Sequence, residues 1–194
     1  MILPIVAYGD PVLRKKAKDI TSAYPKLDEL ITNMWETMYN AHGVGLAAPQ
    51  VGLPIRMFMV DTTPFADDDE LTEAEQKQLD GFKKVFINPE ILEEDGEEWA
   101  FEEGCLSIPK IREEVERPER IKIKYFDENW EEHTDVFEGV AARVIQHEYD
   151  HIEGVLFTDH LSGFKRRLLK GKLTSISKGK VEHDYKMKFP NLKK

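Results

Sequence analysis

His147-Glu148-Tyr149-Asp150-His151 decides the reading of this chain. On a helix, histidines four residues apart project from one face, one turn apart, so both imidazoles can reach a single metal ion. The glutamate beside the first histidine is offset around the helix and can meet a water rather than the ion itself. This is the HExxH arrangement of metal-dependent hydrolases: two ligands and a general base. The alternative is a pair of surface or core histidines with no ion. The flanks favour a helix. Val140, Val144, His147 and His151 recur on one face at the 3.6-residue period, and Ala141, Ala142 and Ile145 keep the other sides apolar. Gly139 before the stretch and Gly154 after it suit a helix bounded by the two.

Upstream, Tyr24 to His42 carries Leu27, Leu30, Ile31, Met34 and Met38 at helical spacing and predicts an amphipathic N-terminal helix ended by Gly43. Arg56 to Asp61 and Lys84 to Ile87 read as short strands, the second stopped by Asn88-Pro89. Thr62 to Phe82 between them is acidic, and reads as a surface excursion with a helical turn after Leu71 and no assigned chemistry. From Glu97 to Glu138 the pattern is of short strands, with Asp127-Glu128-Asn129 as a turn. After the histidine helix, Leu161 to about Ser177 predicts a C-terminal amphipathic helix, and Val181 to Phe189 a final strand. Strands on both sides of one central helix, without a βαβ rhythm, predict an α+β fold of short antiparallel strands packed around it.

At 194 residues, with 41% hydrophobic and 33% charged residues, residues 1–194 read as a single domain of ordinary globular composition. No apolar stretch approaches a membrane span, and Met1 to Tyr8 lacks the basic flank of a secretory signal. One cysteine, Cys105, excludes an intrachain disulfide and points to a reducing, cytoplasmic setting. The net charge of −10 is unevenly spread: residues 161–194 hold 11 Lys/Arg and 2 Asp/Glu, leaving 16 basic and 35 acidic residues elsewhere. A basic helix and tail on an acidic body fit either a nucleic-acid partner or a solvated surface helix.

Two histidines call for a third ligand, since catalytic zinc and iron sites use three protein donors and an open position. The extended HExxHxxGxxH pattern fails: Gly154 is in place, but Phe157 stands where the third histidine should be. Asp159 remains open. So does Cys105, in Glu103-Gly104-Cys105-Leu106-Ser107, whose thiolate would be a strong ligand and whose alternative is an inert buried cysteine. Gly43-Val44-Gly45-Leu46-Ala47-Ala48-Pro49-Gln50 combines glycines that admit close backbone approach with an amide that could meet a developing oxyanion. Alone, it is equally a tight helix-to-strand connection.

Taken together and in this order, GVGLAAPQ at 43–50, EGCLS at 103–107 and QHEYDH at 146–151 closely resemble the three signature motifs of the peptide deformylase family. The likeness extends to Asp10-Pro11-Val12-Leu13-Arg14 and Ile87-Asn88-Pro89-Glu90. It implies removal of the formyl group, as formate, from the N-terminal methionine of newly made chains. It further implies a metal held by Cys105, His147 and His151, ferrous iron natively, with nickel or zinc as substitutes. By the same resemblance Glu148 is the general acid/base, and Gln50 and the backbone N–H of Leu106 polarise the formyl oxygen. Gly45 helps to hold the substrate backbone. Val44, Val140 and Val144 are expected to wall the methionine pocket, with Arg143 either edging it or at the surface. Some members dock on the ribosome through a C-terminal helix, which makes Lys165, Arg166 and Arg167 candidate contacts with ribosomal RNA. Two rivals stand beside this reading: a peptidase of the wider HExxH class, and a module whose metal only holds the fold together.

Overall fold

The computed structural model describes residues 1–67, 69 and 71–192. Asp68 and Glu70 of the acidic excursion, and Lys193 and Lys194 of the basic tail, lie outside the described residues. In chain order the elements are β1 (Ile5–Val6), α1 (Leu27–Asn40), β2 (Gly45–Ala47), β3 (Met57–Asp61), α2 (Glu73–Leu79), β4 (Lys83–Cys105), β5 (Ile108–Phe126), β6 (Glu132–Glu138), α3 (Gly139–Glu153), α4 (Gly163–Ser177) and β7 (Met187–Lys188). Strands β2-β3-β4-β5-β6 form one antiparallel sheet in sequence order, and β1 pairs in parallel with β7.

The sheet is held between the two helices read from apolar periodicity. Strand β3 shows how: Phe58 and Val60 join the cluster beneath α3, with Phe86, Ile121, Ile123 and Tyr125. Its alternate residues Met57 and Met59 join Ile31, Met34 and Met38 of α1 on the other face. Period-2 side-chain alternation thus turns a continuous apolar run into a strand buried on both sides. Phe58 stacks on Phe86 at 4.8 Å, and Phe86 meets Tyr125 tilted at 43° with centroids 4.4 Å apart, pairs that stabilise by roughly 0.5–1.5 kcal/mol beyond burial. A third cluster joins Leu169, Leu173 and Ile176 of α4 to Ile108, Ile111 and Phe157. No helix among the described residues is long and apolar enough to cross a membrane.

The α+β expectation holds, and five details differ. Strands β4 and β5 run for 23 and 19 residues, forming one long hairpin. Asn88-Pro89 does not stop β4. Asn88 takes a left-handed conformation (φ 49°) at a register shift, and its side chain bonds Ile20 N–H and C=O at 2.9 and 2.8 Å. The proline, which has no N–H to give the ladder, is absorbed by that bulge. Helix α1 begins at Leu27 rather than Tyr24, because Pro25 disfavours the helical region for the residue before it. The final strand shrinks to two residues. The excursion does carry a helix, α2, opened by a capping box between Thr72 and Glu75. It is more than surface, since Leu79 is buried and Phe65, Leu71 and Phe82 pack on the core beneath α3.

Gly154 ends α3 in the left-handed region (φ 77°), letting Val155 N–H reach the Asp150 carbonyl at 2.9 Å. A Cβ there would stand 2.7 Å from the Arg14 carbonyl oxygen. Gly154→Ala should therefore destabilise the fold by about 2 kcal/mol or more. An unchanged midpoint in urea denaturation would refute this.

Candidate active site

Three segments converge where α3 crosses the ends of β2 and β4. Residues 43–50 pass beneath α3 through β2 and a single 3-10 turn, Ala48–Val51. Cys105 closes β4, and α3 presents His147, Glu148 and His151, all buried. Cys105 Sγ lies 3.3 Å from His151 Nε2, and one donor atom from each of Cys105, His147 and His151 lies within 4.8 Å of the others. Sequence reasoning left Asp159 open as a ligand, but its carboxylate is spent on Arg14 and on the N–H of Leu156.

The surroundings of Cys105 and His147 are strongly charged. Burial pushes the Cys105 thiol up, but His151 and His147 outweigh it and bring the thiol down to about 5, so it is a thiolate at neutral pH. His147 Nδ1 donates to Glu103 Oε2 at 2.8 Å, which leaves Nε2 as the nitrogen available to a metal. Burial would depress this imidazole, yet Cys105 and Glu103 hold it well above its ordinary value, so a metal bound at Nε2 would displace a proton. Glu103, two residues before Cys105, also accepts from Arg117 Nε and Nη2 at 2.7 and 3.1 Å and from Arg143 Nη1 at 3.0 Å. Its burial penalty is overcome by His147 and Arg117, which keep the carboxyl far below the usual range.

Glu148 has a different environment. Burial raises its carboxyl to about 7 against the pull of His147 and His151, and Oε2 has no hydrogen-bond partner among the described residues. Gly45 makes this position possible: a Cβ on it would overlap the Glu148 carboxylate. Gln50 is 1% exposed, and its Oε1 accepts from Ala47 N–H at 2.8 Å. Because that N–H can only donate, the amide is oriented with its NH₂ toward Cys105 Sγ at 3.5 Å and Ser107 Oγ at 3.4 Å. A thiolate, two imidazoles, an orphaned carboxylate oxygen and three rather than four clustered donors fit a catalytic divalent metal.

The site opens into a cleft of about 510 Å³. Val44 and Val144 line it, with Phe65 and Phe101 adding apolar surface, and residues 182–185 form part of its rim. Val140, expected on the same wall, packs instead into the core beneath α3. Arg143 is not at the surface. It is 1% exposed, lies at the base of the cleft, donates to the Val115 carbonyl at 2.8 Å and to the Trp99 carbonyl, and stacks 4.7 Å over the Trp99 ring. Sequence reasoning did not single out Glu103, Arg117, Phe65 or Phe101. For Glu103 a signal existed, since strand alternation puts it on the same face as Cys105.

The comparisons with known proteins agree with this geometry. Residues 2–167 match the profile of the family described as Polypeptide deformylase. The chain is 71% identical to a peptide deformylase of Christiangramia forsetii over 194 residues, covering 100% of this chain and 99% of that one. It is 62% identical to that of Flavobacterium johnsoniae, again over 194 residues, 100% of this chain and 99% of the relative. Among solved structures, the peptide deformylase of Thermotoga maritima superposes with a TM-score of 0.71 at 45% identity, covering 84% of this chain and 99% of that chain. That of Legionella pneumophila gives 0.76 at 38%, covering 90% and 95%. The chain therefore belongs to the polypeptide deformylase family, the hydrolases that remove the N-formyl group from nascent peptides.

Proposed function

We propose that Cys105, His147 and His151 hold the metal, that Glu148 moves the proton, and that Gln50 and the Leu106 N–H receive the formyl oxygen. The observation that carries this reading is the clustered thiolate–imidazole donor set with a buried, unpartnered carboxylate beside it. A divalent ion bound there supplies Lewis acidity, making water acidic enough to attack at neutral pH. Glu148 takes the proton released as water attacks the formyl carbon and passes it to the amine as the C–N bond breaks, releasing formate. The Gln50 NH₂ and the Leu106 N–H donate to the formyl oxygen as it gains charge. Val44 and Val144 flank the methionine side chain, and backbone at Gly45 runs beside the substrate. A soft sulfur donor with two imidazoles suits ferrous iron as well as nickel and zinc, and the family resemblance favours iron.

A nascent-chain substrate supports the cytoplasm as the place of the reaction. Pairing of β1 with β7 ties the two ends of the chain and supports treating residues 1–194 as one domain. Exposed Phe164 and Leu168 of α4 stand among exposed Arg166, Arg167 and Lys170, which supports ribosome docking through this helix.

Formate release from a formyl-methionyl peptide, measured beside internal cleavage of the unformylated one, tests the reading. Glu148→Ala should lose at least about 100-fold in turnover while keeping its metal; near-normal turnover would refute the assignment. Metal analysis after anaerobic purification should return iron, and activity should decay in air. Gly45→Ala should fold normally yet lose about 10-fold or more in kcat by displacing the Glu148 carboxylate; full activity would show that the close approach is unimportant. Ribosome co-sedimentation should weaken steeply with salt, and further on Arg166→Glu/Arg167→Glu substitution. Salt-insensitive or absent binding would remove the docking proposal.

A further inference from the structure

Residues 178–192 follow α4 and lie beyond the stretch matched by the family profile, which ends at 167. They return across the molecule to the site. Ile5 N–H donates to the Lys186 carbonyl and Ala7 N–H to the Lys188 carbonyl, both at 2.9 Å, which locks β7 beside β1. From this two-stranded ribbon two bonds reach the turn that follows Cys105. Tyr8 N–H donates to the Ser107 carbonyl at 2.8 Å, and the Tyr185 hydroxyl donates to the Leu106 carbonyl at 2.7 Å. Consecutive carbonyls of the turn are thus gripped from outside by the two ends of the chain. Tyr185 is itself half-buried against the α1-side core, and it lines the cleft.

We infer that Tyr185 is a positioning residue for deformylation: by gripping the Leu106 carbonyl it fixes the turn whose N–H meets the formyl oxygen. This rests on the oxyanion role proposed above for Leu106 and Gln50. The two donors then have matching supports. The Gln50 amide is oriented by Ala47 N–H, and residue Leu106 is oriented by Tyr185. An oxyanion donor works only within about 2.7–3.1 Å of the oxygen it stabilises, so a residue free to rotate about its own backbone would lose much of the benefit. Tyr8 N–H holds the Ser107 carbonyl of this two-residue turn, and the Tyr185 hydroxyl holds the Leu106 carbonyl.

The test is Tyr185→Phe in the full-length, metal-loaded enzyme, which keeps the ring and its packing and removes only the hydroxyl. The expected result is a fall of about tenfold in kcat. KM should stay within about twofold, since only a transition-state contact is loosened. Hydrogen exchange at the Leu106 and Ser107 amides should accelerate. Wild-type kcat, or a change confined to KM and melting temperature, would overturn the inference and leave Tyr185 a structural contact. Gln50→Ala measured in parallel separates the two levels. Undiminished kcat in that variant sinks the oxyanion reading and this inference with it, whereas an impaired Gln50→Ala beside a normal Tyr185→Phe sinks only the role of Tyr185.

Discussion

The buried Glu103 carboxylate is the constraint on which the rest of the site depends. Burying an isolated carboxylate costs several kcal/mol, and one left unpaired would take up a proton. Here four hydrogen bonds from Arg117, Arg143 and His147 converge on its two oxygens, with all partners nearly buried. The network continues outward: Arg117 also donates to Asp150 at 2.8 Å, and Asp150 accepts from His160 at 2.8 Å. One acidic group on β4 thereby connects β5, α3 and the 3-10 turn Phe157–His160. Partners at these distances specify where α3 sits along the sheet, and with it where both histidines point.

The same network accounts for Arg143. A guanidinium one turn before His147 is costly in the buried first half of α3, and burial lowers its pKa from the ordinary value. Its charge is met by Glu103, and two of its N–H groups by the carbonyls of Val115 and Trp99. The cation over the Trp99 ring adds a further favourable contact. Arg143 therefore serves as a brace between the helix and the β4–β5 hairpin, and of the two expected placements it takes the one at the pocket.

What could be read from residues alone follows from how local each signal is. Helix α3 was legible because apolar periodicity, paired histidines and a terminal glycine all lie within sixteen residues and agree. Cys105 stood open as a ligand on its chemistry and was singled out only through resemblance, because nothing near it in sequence indicates that β4 ends against α3. Asn88-Pro89 misled because the local rule for proline is to interrupt a strand, whereas the bulge depends on Ile20, 68 residues away. Phe65 and Tyr185 were invisible as cleft residues for the same reason: their position is set by where an excursion and a C-terminal segment return, and periodicity carries no information about that. Val140 failed in the opposite way, since a helix face defined by residues seven and eleven apart is wide enough for one end to face the core.

The arrangement also separates groups that must stay still from one that must change. His147 is fixed by Glu103, the Gln50 amide by Ala47, and the turn at Leu106 by Tyr185. Each of these bonds uses an atom other than the one proposed to meet the metal or the formyl oxygen, so it restrains orientation without occupying that atom. Glu148 receives no such bond on Oε2, and Gly45 leaves its carboxylate only as much room as a missing Cβ provides. A carboxylate tied by several donors, like Glu103, is held far from neutral pH and cannot exchange a proton there. A carboxylate that is buried but untied is raised toward neutrality, where giving and taking a proton are both inexpensive. Two glutamates in one site therefore differ in proton affinity because one is fully hydrogen-bonded and the other is not, and the difference is set by the side chains around them rather than by their identity.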